Sequence, residues 1–375
     1  MKKVVISRMA AVTSLGADVD SLWSGLMAGR SGIVEVDRFD CQNYVSRYAA
    51  CIEKLQAPDN GSMMDDILER VAGQMGNIPA DCRLLVASIK GEIDRLESAS
   101  RGQILVPEAV LFEPMLSKIA RRFDLNDNGC NINAACASST LAVMRAAAMI
   151  SVGTADAVLV YAADMVSEFV FSGFSALQAL SGEMCQPFDQ QRKGLNLGEA
   201  GVALLLMSEE RAAAEGEKQL ARVAGWGAAN DAHHVTAPAK DGSGLILACQ
   251  RALGIAGIEA GEVAAINAHG TGTIYNDAME LTAFNHVFTS QIPPLHGVKG
   301  SLGHCLGAAG GVEIAIASRA LCEQQIPGTV GCLQPEEAGR GCLSRTAQKI
   351  DGDYLLCSNS GFGGINGVVI LQGGA

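Results

Sequence analysis

Short, uninterrupted apolar runs recur along the chain, and they limit what it can fold into more than any other feature. VVIS (4–7), RLLVAS (83–88), ADAVLVYAAD (155–164) and GVALLLMS (201–208) lie in the first half. ARVAGWGAA (221–229), VAAINA (263–268), PLHGVK (294–299), YLLCSNS (354–360) and GVVILQ (367–372) lie in the second. A strand with one wet face alternates polar and apolar residues. These runs do not, so helices must cover both faces of their sheet. The stretches between them supply the covers. DVDSLWSGLMAG, SSTLAVMRAAAMISVG, GLILACQRALGIAG and GVEIAIASRALCEQQ read as helices rich in small and apolar residues. The fold class is therefore α/β.

The order of these pieces repeats. Each half opens with a strand, a turn and an amphipathic helix, and each later carries a helix made almost wholly of small or apolar residues. That helix follows Cys136 in the first half and His304 in the second. The charged, alanine-rich EERAAAEGEKQLA (209–221) divides the halves, which predicts units over 1–212 and 213–375. No long Pro/Ser linker stands between them, so the halves are expected to pack together. With 49% hydrophobic and 18% charged residues, a chain of 375 can fill so large a core.

Charge and cysteines narrow the function. A formal net charge of −12 argues against general binding to nucleic acid or to a membrane surface. Twelve cysteines are scattered from Cys41 to Cys357, with no CxxC pair and no zinc-type spacing. A reduced, cytoplasmic protein without a structural metal is the expectation. The amino end has no signal-peptide pattern, and no apolar run is long enough for a transmembrane helix.

Chemistry concentrates in three places. In NINAACASST (131–140), Cys136 follows a short strand-like segment and opens a nearly charge-free helix. A helix amino terminus carries about half a positive charge and unpaired N–H groups, which favours thiolate. His269, in INAHGTGTIYND, follows a buried strand in a Gly/Thr-rich turn, and His304, in GVKGSLGHCLGAAGG, lies between a strand and a small-residue helix. A single histidine on a core face is usually structural. Two at strand ends, with a cysteine at a helix start, are harder to dismiss. In NSGFGGINGVVIL (359–371), glycines crowd Phe362 before a final strand. This is either an ordinary hairpin turn or a backbone N–H aimed at a developing oxyanion, with Phe362 as a movable apolar wall.

The set AACASS, AHGTGT, VKGSLGHCLGAAGG and NSGFGG resembles the elongating β-ketoacyl-acyl carrier protein synthases of the thiolase superfamily. TSLGADVDSLWSGLMAGRSGI, GFSALQALS, PFDQQRKGLNLGEAGVALLL and DAHHVTAP agree in the same order, so the likeness spans nearly the whole chain. It implies a thiolase fold, a five-layered α/β/α/β/α arrangement of two similar halves, working as a homodimer or as a heterodimer with a ketosynthase-like subunit. It also implies decarboxylative Claisen condensation of an acyl group on Cys136 with malonyl-acyl carrier protein. Cys136 matches the nucleophile, and His269 and His304 match the neutral pair that holds the malonyl thioester carbonyl. Lys299 matches the lysine that orders the site. Thr271 and Thr273 match the threonines that meet the carrier's phosphopantetheine arm. Asp277, Glu280 and Glu313 match acids that support the histidine loops. Phe362 matches the gatekeeper, and its N–H with that of Cys136 matches the oxyanion hole. The carrier supplies the phosphopantetheine, and neither a resident cofactor nor a metal is implied.

Departures from the family pattern are equally specific. The chain is short for the family, and the missing length falls between about residues 85 and 115. Ser360 stands where an aromatic residue is common, which bears on the acyl chain and admits polyketide or polyene synthesis beside fatty-acid synthesis. The early helix that carries a basic patch in relatives matches NGSMMDDILERVAG (60–73), with Arg70 against three acids. Replacement cations for an acidic carrier are Arg192 and Lys193, or Lys118, Arg121 and Arg122 in SKIARRF. Three rival readings stay open: a non-catalytic chain-length-factor-like partner subunit, a degradative thiolase or initiating ketosynthase, and a cysteine peptidase. The histidine pair, Lys299 and Cys136 speak for the elongating type.

Overall fold

A computed structural model of the chain describes residues 1–59, 61–102 and 107–374. Ten strands build the central sheets: β1 (Val4–Thr13), β2 (Arg83–Ala87), β3 (Cys130–Asn131), β4 (Ala157–Asp164) and β5 (Ala200–Ser208), then β6 (Ala221–Asn230), β7 (Val263–Asn267), β8 (Leu295–His296), β9 (Tyr354–Gly361) and β10 (Ile365–Gly373). Their spatial order is β8-β7-β9-β10-β6-β1-β5-β4-β2-β3. The first half thus runs β3-β2-β4-β5-β1, and adding five to each number gives the second half. The strand directions repeat as well. β2 is parallel to β3 and β4, whereas β5 is antiparallel to β4 and β1. In the second half, β7 is parallel to β8 and β9, and β10 is antiparallel to β9 and β6. The suspected duplication is therefore a property of the topology. The sheets meet edge to edge only at Val5–Arg222 and Ile6–Ala221. The chain crosses between halves through helix Glu209–Glu215.

Side-chain alternation explains the layers. On β9 and β10, Leu355, Cys357, Val369 and Leu371 face the middle of the molecule, and Leu356, Val368 and Ile370 face outward. The same split runs along β4 and β5, with Val158, Val160, Leu204 and Leu206 inside, and Leu159, Tyr161, Leu205 and Met207 outside. Helices Met63–Met75 and Phe112–Arg122 cover the outer face of the first sheet, and Ser243–Ala256 and Ile274–Val287 that of the second. Between the sheets lie helices Ser138–Ser151 and Ala309–Glu323. The result is five layers, α/β/α/β/α. Small residues let the two middle helices touch: a Cβ on Gly310 would lie 1.9 Å from Thr140 Oγ1 and one on Gly311 3.4 Å from Ser139 Cβ. Burying every turn of such helices is the reason they carry so little charge.

Two expectations need adjustment. PLHGVK contributes only Leu295–His296 to the sheet, because the chain turns into a short helix, Lys299–Leu302. The stretch where the chain is short holds helix Ile93–Ser100 and the turn Pro107–Val110. Residues 103–106 of that stretch lie outside the described residues. Among the described residues, no helix is long and apolar enough to cross a membrane.

Candidate active site

Cys136 sits two residues ahead of helix Ser138–Ser151. Ala135 before it adopts φ 49°, a left-handed conformation that a non-glycine residue adopts at a cost of about 1–2 kcal/mol. Ser138 holds this elbow: its Oγ accepts from the Ala134 N–H at 2.9 Å and donates to the Ala135 carbonyl at 2.6 Å. The turn of the β9–β10 hairpin closes on the sulfur. A Cβ at Gly361 would lie 2.8 Å from Ala134 O and 3.2 Å from Cys136 N, so this approach needs glycine. The stretch around Phe362 is thus a hairpin turn and a wall of the site at once.

The second half delivers both histidines to the same point. His304 Nε2 lies 2.8 Å from Cys136 Sγ, and the two imidazole centroids are 5.2 Å apart. Backbone pairing with the segment before β5 locks His304: its N–H donates to Asn196 O at 2.8 Å, and its carbonyl accepts from Gly198 N at 2.9 Å. Hydrogen bonding then dictates the tautomers. Nδ1 of His304 accepts the Leu306 N–H at 3.3 Å. Nδ1 of His269 faces two donors, Asn359 Nδ2 at 3.2 Å and Lys299 Nζ at 3.3 Å. In each neutral ring the proton therefore resides on Nε2, pointing into the site. Burial, aided by the positive charge of Lys299, holds both imidazoles well below their ordinary titration range, so they are neutral.

Buried carboxylates brace these loops. Glu280 accepts from the N–H groups of His269 and Gly270, both at 2.7 Å. Asp277 accepts from Phe188 N at 2.7 Å and Gly272 N at 3.1 Å. Glu313 pairs with Lys299 at 2.6 Å, and Lys299 Nζ also donates to the His269 carbonyl at 2.5 Å. Burial raises all three carboxyls, Glu280 to about 8 with the nearby Asp277 charge adding to the effect. Sγ of Cys136 and one nitrogen from each of His269 and His304 lie within 4.8 Å of one another, close enough for a soft metal. A ring nitrogen that ligates must offer a lone pair, and the Nδ1 contacts leave Nε2 protonated. The donor set does not fit a metal ion.

A cavity of about 360 Å³ leads to the sulfur, lined by Thr271, Thr273, Ser360 and Phe362 among others. The two threonine hydroxyls are 2.9 Å apart. Phe362 stacks on Phe174 with centroids 5.8 Å apart, and Ser360 Oγ donates to Asn366 Oδ1 at 2.6 Å. Leu177, Ile274 and Tyr275, all largely exposed, rim the mouth.

A thiol, two Nε2–H donors and a cavity on this duplicated scaffold agree with what comparison with known proteins finds. The family description "Beta-ketoacyl synthase, N-terminal domain" matches residues 1–81 and 96–212, and "Beta-ketoacyl synthase, C-terminal domain" matches 220–332. The chain belongs to the β-ketoacyl synthase family. A 3-oxoacyl-[acyl-carrier-protein] synthase 2 of Vibrio cholerae is 30% identical over 411 aligned positions, covering 99% of each chain. Among solved structures, an ishigamide ketosynthase/chain length factor superposes with TM-score 0.90 at 27% identity, covering both chains fully. A β-ketoacyl synthase of Burkholderia phymatum gives 0.88 at 27%, again over both whole chains. The unmatched residues 82–95 overlap the start of the stretch where this synthase is short.

Three expectations for this β-ketoacyl synthase change. Cys136 does not rest as thiolate: burial pushes the thiol up to about 11, against the Lys299 charge and the Phe362 N–H, which lower it. The positive helix end is outweighed by the loss of water. Arg192 is not a docking cation. Its side chain is 4% exposed, donates to the carbonyls of Asp189, Thr273 and Ile274 and pairs with Glu336 at 2.9 Å, so it holds the cavity mouth from within. In SKIARRF, Lys118 is occupied by Asp65 and Glu92 and Arg122 by Glu69, and Arg121 has no ion pair among the described residues. Lys193 is exposed at the mouth, 2.7 Å from Glu183. Asn359 and Thr140 belong to the site's hydrogen-bond network but carry no local signal, since their partners are distant in sequence.

Proposed function

We propose that this synthase condenses an acyl group held on Cys136 with malonyl-acyl carrier protein. The observation that carries this reading is the convergence of Cys136 Sγ with two protonated Nε2 atoms in the lining of one cavity. In the first step Sγ attacks the acyl thioester, the acyl–sulfur bond to the carrier breaks, and the thiol proton leaves with the carrier thiol. The N–H groups of Cys136 and Phe362 receive the oxyanion. In the second step the malonyl carboxylate departs as carbon dioxide and its electron pair moves onto the thioester carbonyl. His269 and His304 stabilise that enolate through Nε2–H, where neutral donors serve best as charge grows on oxygen. The enolate carbon attacks the acyl carbonyl and Cys136 leaves, to be reprotonated. Holding the acyl group covalently makes this attack intramolecular. Thr271 and Thr273, lining the cavity, would meet the phosphopantetheine arm of the carrier. No metal or resident cofactor takes part. Intact-mass analysis with a panel of acyl-carrier thioesters, followed by malonyl-carrier, tests the reading: a mass gain on Cys136 and a product two carbons longer are expected.

A non-catalytic subunit has no use for both tautomer-locked histidines beside a thiol that lines the cavity. The solved neighbours at 26–27% identity include ketosynthases described with a chain length factor, which favours a ketosynthase-like second subunit. Twelve free cysteines, most of them buried, fit a reducing cytoplasm.

His269→Ala and His304→Ala should each slow malonyl decarboxylation by about 100- to 1,000-fold, the usual cost of one oxyanion donor. Measured carbon dioxide release that stays at the wild-type rate in both would remove these roles.

The histidines should also leave a mark in the pH profile. Both are depressed, so the neutral, active form persists as pH falls through the ordinary imidazole value of 6.5. Decarboxylation is expected to stay flat across that value. An acid limb with a midpoint near it would show that one ring charges normally.

For the carrier, Lys193→Glu should weaken apparent affinity by about 2- to 5-fold at low salt, the scale of an exposed ion pair. Unchanged affinity at low and moderate salt would move docking away from this side of the mouth.

A further inference from the structure

Asn359, three residues before Phe362 on β9, is completely buried, and its amide is saturated by partners from three other segments. Nδ2 donates to Glu313 Oε2 at 2.6 Å and approaches His269 Nδ1 to 3.2 Å, while Oδ1 accepts from Thr140 Oγ1. The amide has only one workable orientation, because an ionised carboxylate only accepts. With Nδ2 facing Glu313, its second N–H faces Nδ1. Lys299 reaches the same nitrogen, but its two shorter contacts are to Glu313 Oε1 and the His269 carbonyl. Thr140 lies one turn beyond Cys136 on the nucleophile's helix, and Glu313 lies on the facing helix. One side chain thus joins the nucleophile's helix, the lysine–glutamate pair and a reacting histidine.

We propose that Asn359 is a positioning residue that keeps the His269 proton on Nε2, where the enolate forms. The inference rests on the decarboxylative role given to His269 above. Asn359→Asp is nearly isosteric but replaces Nδ2 with an oxygen that shares a proton with Glu313 Oε2 and offers Nδ1 only an acceptor, which draws the ring proton away from the substrate. Expected is a fall in malonyl decarboxylation of about 10- to 100-fold, the scale on which partners that fix a histidine's tautomer act at metal sites. Acylation of Cys136, which does not use His269, should stay within about 2-fold, since the variant keeps the oxygen that accepts from Thr140 on the nucleophile's helix. The decisive measurement is the cycle with His269→Ala: adding Asn359→Asp to that variant should cost nothing more, because the ring it orients is gone. Multiplying losses would overturn the proposal. So would acylation falling in step with decarboxylation in both Asn359→Asp and Asn359→Ala, which marks a purely structural part. Full decarboxylation in Asn359→Asp, with loss in His269→Ala, would overturn this inference alone. Full decarboxylation in His269→Ala would overturn the role of His269 and this inference with it.

Discussion

Cys136→Ala is expected to abolish acylation and condensation while leaving decarboxylation of malonyl-carrier measurable. Sγ is the one atom in the cavity lining that can hold the acyl group, and loss of a catalytic nucleophile costs on the order of a million-fold in rate. The histidine donors do not depend on it. Their Nδ1 contacts to Leu306, Asn359 and Lys299 remain, so Nε2–H still meets an enolate. Removing one buried sulfur leaves a small void costing about 1 kcal/mol, so the melting temperature should barely move. Two measurements check this: intact mass after exposure to acyl-carrier, and carbon dioxide release from malonyl-carrier. A covalent acyl adduct on the variant would sink the assignment of Cys136.

Lys299→Met is expected to be the most destabilising single change in the site. The lysine is 1% exposed and neutralises Glu313, itself 2% exposed, at 2.6 Å. Methionine fills much of the same space but leaves a buried carboxylate without its charge partner. Breaking such a pair from one side costs about 3–5 kcal/mol, whereas removing both charges is often nearly neutral. Glu313→Gln added to Lys299→Met should therefore recover much of the stability. Activity should not return with it, because the His269 carbonyl and Nδ1 have lost a donor. Urea unfolding of the single and double variants decides the matter. A single variant as stable as wild type would mean that Glu313 is not charged in the folded protein.

Much of the fold was readable because its physical causes are local. Strands buried on both faces must be apolar at successive positions, and the runs ending at Asp164 and Ser208 are. Middle-layer helices must be small and nearly uncharged, and those after Cys136 and His304 are. The strand-like segment before Cys136 contributes only the two residues of β3, Cys130–Asn131, a length with no period to detect. PLHGVK misled in the other direction: it is buried like a strand, but its last residues coil into the helix that carries Lys299.

The site divides along the same line. Residue type and setting within the chain single out Cys136, His269, His304 and Phe362, since an elbow before a helix, a turn after a strand and a glycine-crowded hairpin are each written in consecutive residues. Distances between segments are not. Asn359 became visible only where β9 crosses Thr140, Glu313 and His269, because its work is to satisfy groups from three separate stretches. Arg192 read as a free surface cation, and only the packed chain shows its guanidinium spent on carbonyls beneath the cavity mouth. The Cys136 thiol shows the limit most plainly. A helix terminus argues for thiolate from sequence alone, but charge state follows the balance of dipole against desolvation. Desolvation is set by how completely two halves of the chain, far apart in sequence, close over one sulfur atom.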